Sequence, residues 1–225
     1  MKITALFFTL SICCSLIVFS QEPKNLFVGG ASYYAKKFEG RTTSNGERFS
    51  NYDMTCAHRK LPFHTFLKVT NKKNGISTLV RVSDRGPYKK NRIIDLSEQA
   101  ARIIGSYQHG ITQVKIEKID PPVIPFNSDS VPVNSIFDIE GNRIEKSGYA
   151  LSIWHTMDLL HAVLLAGLLH EQEYVQPIYL GKKQNKKGTH YHLLIANIPS
   201  KEEAATLKDF WERKGFMNVS VFENF

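Results

Sequence analysis

The sequence predicts two unlike domains, a small β-barrel followed by an α+β domain of β-α-β-β-α-β order. Two observations support this division. Residues 26–119 alternate short β-like runs with turn residues, whereas residues 149–225 mix strand-like runs with helical ones. Charge changes in the same region: residues 21–120 carry 18 basic and 9 acidic side chains, and residues 121–225 carry 10 and 12. The two parts are therefore electrostatically different, which favours two domains with different tasks.

An export signal is predicted ahead of both domains. Residues 1–20 start with the basic Lys2 and continue as an uncharged apolar run, so we expect cleavage before Gln21. A retained membrane anchor is the alternative, because the run is nearly long enough to span a bilayer. Cys13 and Cys14 invite a lipid anchor, but Ile12 precedes them and the apolar run continues after them, which argues against it. The mature protein is expected in the periplasm or cell envelope, without a membrane span.

The barrel region shows four strand-like runs, one hairpin and one short helix. Asn74-Gly75 separates two of the runs and predicts a hairpin turn, because both residues tolerate positive φ. A helix fits Ser97–Ile104, with Asp95 or Ser97 as its cap. The runs are Val28–Tyr34, Phe66–Thr70, Ser77–Val82 and Gln113–Ile119. Many short strands with one helix are typical of a small barrel.

A proline-rich stretch follows the barrel. Residues 120–148 contain four prolines among Asn, Ser and Asp, which predicts a linker with a short ordered piece at Ser135–Ile144. Beyond it the element order is the split βαβ arrangement of ferredoxin-like domains. The predicted elements are strands at Tyr149–Trp154, Tyr174–Leu180, His190–Ala196 and Met217–Phe222, with helices at Met157–His170 and from Ser200 to Gly215.

Three barrel segments place an ionisable side chain beside residues that force a turn. They carry Glu47, His58 and Asp84, and rigid backbone next to such groups can aim them at a ligand. Each also has an ordinary interpretation: a solvated loop residue, a structural histidine, and a surface ion pair of Asp84 with Arg85. Cys56, the one thiol beyond the signal, is expected to be buried and inert. The eight histidines show no metal-site spacing, so no metal or cofactor is predicted.

The barrel region resembles the rare lipoprotein A (RlpA) family in one collinear order over residues 28–119. His64 stands where the family usually has glycine. The resemblance implies a six-stranded double-psi β-barrel and lytic transglycosylation of peptidoglycan, preferentially on glycan strands stripped of peptide. The matching stretches are Gly30–Tyr34, Gly40–Glu47, Ala57–Phe63, Val69–Asn71, Val80–Pro87 and Arg92–Ser97, followed by Ala100-Ala101.

The resemblance also implies roles for individual residues. Asp84 would be the general acid and base, Glu47 a second catalytic carboxylate and His58 an orienting group. An acid must be protonated near neutral pH, so a raised pKa is expected for Asp84, through burial or a neighbouring like charge. Substrate would contact Tyr33, Asn45 and Arg85, although Arg85 is also suited to holding the loop.

Residues 149–225 resemble a SPOR domain, mainly in element order and in Ile198–Ala204. SPOR domains bind peptide-free peptidoglycan at division sites, which implies glycan strands and divisome proteins as partners. Trp154 and Tyr191 would then stack on sugar rings. The alternative function is a non-enzymatic, expansin-like protein that binds the cell wall. Nucleic acid is not an expected partner, because the chain has an export signal and no base-stacking motif.

Overall fold

The computed structural model describes residues 26–172, Tyr174, residues 176–223 and Phe225. The predicted signal at residues 1–20, with Cys13 and Cys14, lies outside the described residues. None of the helices in the described part of the chain has the length and apolar character needed to cross a bilayer.

Six strands close into the predicted double-psi β-barrel. The order around it is β1-β5-β2-β4-β3-β6. β1 pairs with β5 and β2 with β4 in parallel, while the other neighbours are antiparallel. The strands are β1 Leu26–Tyr33, β2 Thr55–Ala57, β3 Phe66–Asn71, β4 Ser77–Asp84, β5 Arg92–Leu96 and β6 Thr112–Ile119. The sequence patterns identified neither β2 nor β5, because both are short.

Local turn chemistry explains how the barrel strands are joined. The predicted hairpin at Asn74-Gly75 connects β3 to β4, and Gly75 has a φ of 74°. Helix α1 spans Glu98–Ile103, and the side chain of Ser97 caps it by accepting from the Ala100 backbone N–H. Of the two predicted caps, Ser97 is therefore the one used. His64 has a φ of 65°, a left-handed conformation that glycine adopts without steric cost.

The second domain is an antiparallel sheet of order β12-β9-β11-β10-β7-β8, with two helices. The four strands β9 to β12 follow the predicted β-α-β-β-α-β order. Residues 135–144, where the sequence predicts a short ordered piece, supply β7 and β8 at one edge. The elements are β7 Ser135–Phe137, β8 Arg143–Ile144, β9 Tyr149–Thr156, α2 Leu159–Glu171, β10 Tyr179–Asn185, β11 Gly188–Ile198, α3 Lys201–Arg213 and β12 Ser220–Glu223.

One predicted strand is displaced along the chain. The sequence predicts Tyr174–Leu180, whereas β10 runs from Tyr179 to Asn185. Pro177 has no N–H to donate, so regular pairing starts after it. At the other end the pairing with β11 continues to Asn185 opposite Gly188, so β10 extends five residues beyond the predicted end at Leu180.

The barrel and the second domain share one hydrophobic core. Barrel residues such as Phe66 and Val80 belong to the same buried cluster as Leu151 and Trp211 of the second domain. Hydrogen bonds cross the junction as well. The side chain of Gln99 in α1 donates to the Gly215 carbonyl and accepts from the Met217 backbone N–H, at 2.8 Å in both cases. Both halves therefore pack as one body through these contacts.

Candidate active site

The centre of the site is the carboxylate of Asp84, at the end of β4. Four donors surround this half-buried group. The Tyr34 hydroxyl donates to Oδ2 at 2.7 Å, and the backbone N–H and hydroxyl of Ser44 donate to Oδ1 at 2.9 and 2.5 Å. The Arg85 backbone N–H adds a fourth bond to Oδ1 at 2.8 Å. Three separate chain segments therefore converge on one carboxylate.

This environment lowers the pKa of Asp84. Partial burial alone would raise the pKa, but the hydrogen bonds from Ser44, Tyr34 and Arg85 favour the charged form and outweigh it. The raised pKa that the sequence argument expects for a general acid is therefore absent in this structure. Asp84 is an anion at neutral pH, and its hydrogen-bond donors fix the orientation of the carboxylate.

His58 and Arg85 form the wall next to Asp84. The His58 backbone N–H donates to the Asp84 carbonyl at 3.1 Å. The His58 Nδ1 accepts from the Leu61 N–H at 3.0 Å, which places the ring proton on Nε2. Burial, together with Arg85 and Arg59, lowers the pKa of His58, so the ring is neutral and its Nε2–H can donate.

Arg85 holds the His58 loop from inside. Its guanidinium donates to the carbonyls of His58 and Leu61 at 3.2 and 2.9 Å, and lies 3.7 Å from the centre of the Phe63 ring. These contacts occupy one edge and one face of the guanidinium. Of the two roles predicted for Arg85, loop support is the one with visible contacts.

Glu47 lies in the same loop as Ser44, but it is bound by a different partner. Arg81 of β4 grips its carboxylate with two parallel bonds of 2.9 and 2.8 Å. This pairing lowers the pKa of Glu47, although partial burial opposes the shift. Glu47 therefore remains an anion, and no contact joins it to the carboxylate of Asp84.

Asp95 is brought to the site although the sequence suggests a helix cap. Its Oδ1 accepts from the Ser32 hydroxyl at 2.5 Å and lies 3.6 Å from Nη1 of Arg92. Burial together with the charges of Asp84 and Asp95 raises the pKa of Tyr34, so both carboxylates lie near that hydroxyl. The position of Asp95 depends on the pairing of β5 with β1 and β2, which no local sequence pattern reveals.

The two neighbouring tyrosines at the end of β1, Tyr33 and the following Tyr34, have different surroundings. Tyr33, the predicted substrate contact, stacks against Tyr107 with ring centres 4.8 Å apart. Tyr34, which the sequence argument overlooked, is the residue that reaches Asp84. Successive side chains of an extended chain point to opposite sides, which explains the difference. Asn45, another predicted contact, shapes the loop: its Oδ1 accepts from the Thr43 hydroxyl and the Glu47 N–H.

Trp154 and Tyr191 do not have the exposure that sugar stacking requires. Only 5% of Trp154 and 7% of Tyr191 is exposed. The Trp154 indole donates to the Tyr52 carbonyl across the domain junction at 3.1 Å, and its ring packs edge-on against His161. The expectation that these rings stack on sugars is wrong for this arrangement, because both belong to the core.

Tyr88 is an aromatic residue near the site that sequence reasoning missed. It follows Gly86-Pro87 in the loop between β4 and β5, and 88% of it is exposed. Arg59 holds this loop by donating to the carbonyls of Pro87, Lys89 and Arg92 at 2.5, 2.6 and 2.8 Å. The available signal was an aromatic residue between turn residues and lysines, where no strand pattern requires a core side chain.

Cys56 lies inside the barrel wall, as expected of an inert thiol. It is free and buried, and burial raises its pKa far above the usual range. Within the described residues, no three side chains of His, Cys, Asp or Glu come together as a metal site would need.

Comparison with known proteins finds sequence similarity over the barrel. Residues 27–116 match the family model described as "Lytic transglycolase". The chain is 54% identical over 108 residues to a Vibrio cholerae protein named "Endolytic peptidoglycan transglycosylase RlpA", covering 47% of this chain and 41% of that protein. Proteins of the same name from Pseudomonas aeruginosa and Neisseria meningitidis are each 50% identical, over 94 and 93 residues.

These relatives are matched only in part. The alignments cover 42% of this chain and 28% of the Pseudomonas protein, and 41% of this chain and 39% of the Neisseria protein. This chain therefore spans less than half the length of the curated relatives it matches. Among solved structures, an expansin from Clavibacter michiganensis is similar with a TM-score of 0.37 and 16% identity, over 78% of this chain and 93% of the expansin.

Proposed function

We propose that the protein is an endolytic peptidoglycan transglycosylase, because residues 27–116 form a barrel that matches the family model described as "Lytic transglycolase". It would cleave the bond between N-acetylmuramic acid and N-acetylglucosamine within glycan strands and leave 1,6-anhydro ends. The observation that carries the proposal is the Asp84 carboxylate, half-buried and held by donors from three chain segments. Relatives that are named endolytic peptidoglycan transglycosylases, and that are 54% and 50% identical to the barrel region, support it.

The reaction needs two proton transfers through one catalytic group, and no water. An acid gives a proton to the glycosidic oxygen, the C–O bond breaks, and positive charge develops at the anomeric carbon. The O6 hydroxyl of the same sugar then attacks that carbon, and its proton passes to the conjugate base. One carboxyl can therefore perform both steps, and we assign both to Asp84.

Substrate binding would prepare Asp84 for the first step. The free carboxylate is ionised, but it is only half-buried, so a glycan strand lying on it would displace water. Desolvation raises a carboxyl pKa, which favours uptake of the proton that the acid step requires. The Tyr34 and Ser44 hydroxyls would keep the Asp84 carboxyl group in one orientation throughout the reaction.

Neighbouring groups would serve the positive transition state. Asp95 supplies a second negative charge near Tyr34, and Glu47 remains an anion through its pairing with Arg81. The neutral His58 ring would donate from Nε2 to a sugar hydroxyl or to the acetamido group. These assignments give Glu47 an electrostatic role rather than a proton-transfer role.

The rim of the site suits a peptide-free strand. Removal of the stem peptide leaves a carboxylate on each N-acetylmuramic acid, and the loop around Tyr88 carries the exposed cations Lys89 and Lys90, with Lys60 exposed on the loop after His58. The exposed Tyr88 ring offers an apolar face to a sugar ring. The substrate implies that the protein works outside the cytoplasm, at the cell wall.

A wall-binding protein without cleavage remains the second candidate function. The observation that favours it is the lowered pKa of Asp84, because an ionised carboxylate binds hydroxyl groups well but does not donate a proton. The two candidates bind the same glycan and differ only in the products that they release.

Product chemistry distinguishes the two candidates. The mature protein would be incubated with intact sacculi and with amidase-treated, peptide-free sacculi, and soluble products would be identified by mass. Release of 1,6-anhydro-muramic ends, faster from the peptide-free material, is expected. Binding to sacculi without any anhydro ends would overturn the enzymatic proposal in favour of the wall-binding one.

A further inference from the structure

Helix α2 of the second domain lies along β4, the barrel strand that ends at Asp84. At one end of the contact, the side chain of Gln172 donates to the Ser77 carbonyl at 3.0 Å. In the middle, the His161 ring is only 2% exposed and packs edge-on against Phe66, with centres 5.1 Å apart. At the other end, Oδ2 of Asp158 lies 4.0 Å from Nε of Arg81. The second domain thus contacts the strand up to three residues before the candidate acid.

Arg81 is the point at which this contact meets the site. Its two Nη atoms hold Glu47, and Nη1 also lies 3.0 Å from Nδ1 of His64. Its Nε is buried and makes no hydrogen bond within the described residues, so the nearby carboxylate of Asp158 balances that edge of the guanidinium. One planar cation is therefore bound by Glu47 of the barrel and also faces the charges of Asp53 of the barrel and Asp158 of the second domain.

From this arrangement we propose that Asp158 is a positioning residue for the active site, and that the second domain thereby belongs to the catalytic unit. Asp158 fixes the plane of the Arg81 guanidinium, and Arg81 in turn fixes the Glu47 carboxylate. The proposal rests on the proposed function for its kinetic consequence. Its structural part, the dependence of Arg81 on Asp158, stands independently of catalysis.

The variant Asp158→Asn tests this with little structural disturbance. Oδ1 of Asp158 caps α2 by accepting from the His161 N–H at 3.1 Å, and asparagine caps helices equally well. The substitution therefore removes the charge opposite Arg81 and keeps the cap. The matched control is Glu171→Gln, which breaks the other ion pair across the same junction, Lys68 with Glu171 at 3.3 Å, away from Arg81.

We expect Asp158→Asn to lower kcat about two- to fivefold on peptide-free glycan, as for a partly exposed ion pair, with KM nearly unchanged. Glu171→Gln should keep the wild-type kcat. In a Glu47→Gln background, Asp158→Asn should cause no further loss, because its effect passes through Glu47. Losses that multiply in the double variant, an equal loss in Glu171→Gln, or an unaltered kcat in Asp158→Asn would overturn the proposal.

A measurement without substrate separates this proposal from the proposed function. The Nε–H resonance of Arg81 in the NMR spectrum of the full chain should shift and exchange faster in Asp158→Asn, and remain unchanged in Glu171→Gln. If the wild-type protein releases no anhydro ends, the proposed function is wrong, but the Arg81 resonance still tests whether Asp158 positions Arg81. An Arg81 resonance that is identical in wild type and Asp158→Asn would show that Asp158 does not position Arg81.

Discussion

The barrel and the second domain place their titratable groups in opposite ways. In the barrel, the carboxylates of Asp84 and Glu47 are partly buried and supplied with donors, which lowers their pKa values. In the second domain, the His161 ring is buried and the His192 ring is half-buried, and burial lowers both pKa values to about 3, so both rings are uncharged. The two charged carboxylates of the barrel thus lie at the surface of a site, whereas the two imidazole rings of the second domain are uncharged and pack against other side chains.

This contrast predicts which domain determines catalysis and which domain determines stability in mild acid. Carboxylates with lowered pKa values lose their stabilising charge only in strong acid, while buried neutral histidines destabilise the fold as soon as the unfolded chain begins to bind protons. Chemistry should therefore depend most on the barrel, and mild-acid stability most on the second domain.

The largest effect is expected from Asp84→Asn, which removes the titrating group from the barrel site. Asparagine can still accept from Ser44 and Arg85, so the fold should persist. Release of anhydro ends, quantified by mass spectrometry, should fall by about 10²–10⁴-fold, the usual contribution of general acid catalysis. Glu47→Gln should reduce the rate less, because Glu47 acts through charge.

Circular dichroism and sacculus binding provide the control for Asp84→Asn. Both should match the wild type. A folded Asp84→Asn protein that binds peptide-free sacculi and cleaves at the wild-type rate would remove Asp84 from the mechanism.

Mild acid should weaken the protein through the histidines of the second domain. His161 binds a proton with a pKa of about 3 when folded and about 6.5 when unfolded, so its stabilising contribution is complete above pH 6.5 and declines as the pH falls toward 3. At pH 5 this one residue should cost about 2 kcal/mol of unfolding free energy. Urea unfolding at pH 7, 6 and 5 measures the loss.

The matched variant for the acid experiment is His161→Phe. The ring contacts Phe66 and Trp154, so a phenyl ring fills the same space, while the substitution removes the hydrogen bond of the imidazole to the Leu79 backbone. The variant should lose about 2 kcal/mol less than the wild type between pH 7 and pH 5. An unaltered pH dependence would show that His161 does not titrate on unfolding in this range.

Longer helices and strands were easier to predict from the sequence than short ones. Long runs such as those of β3, β4, α2 and α3 could be read from periodicity and caps. The three-residue β2 and the five-residue β5 could not, because a barrel sets their positions through pairing at long sequence separation. The shared core was missed for the same reason: proline content marks the stretch between domains but says nothing of what the domains bury against each other.

The site was predictable where the residues lie in one turn and not where strands meet. Asp84, His58 and the loop of Ser44 to Glu47 were found because turn residues flank them. Tyr34, which directly follows β1, and Asp95 of β5 reach the same place, which depends on strand register. Trp154 was misassigned because the sequence pattern of an aromatic residue in a strand is the same whether the ring faces a glycan or a neighbouring domain.

A smaller effect on binding is expected at the exposed rim of the barrel. Tyr88→Ala should raise KM for peptide-free glycan about fivefold with little change in kcat, as loss of one aromatic stacking contact is worth about 1 kcal/mol. Tyr88→Phe keeps the ring and should behave as the wild type. An unchanged KM in Tyr88→Ala would show that the ring does not contact the substrate.

The smallest predicted effect concerns Arg85→Lys and tests whether loop support is separate from chemistry. Nη1 of Arg85 donates to the carbonyls of both His58 and Leu61 while the guanidinium plane stacks on Phe63, and lysine has no planar group to keep that stack. The stability loss should be about 0.5–1 kcal/mol, near the value of an exposed cation–π contact. Cleavage should fall only about two- to threefold, because Asp84 keeps the donors from Tyr34 and Ser44 and the Arg85 backbone N–H. Hydrogen exchange at Leu61 should accelerate, since a loosened loop frees the bond from its N–H to Nδ1 of His58. A hundredfold loss of cleavage with unaltered exchange would instead place Arg85 among the groups that contact the reacting sugar.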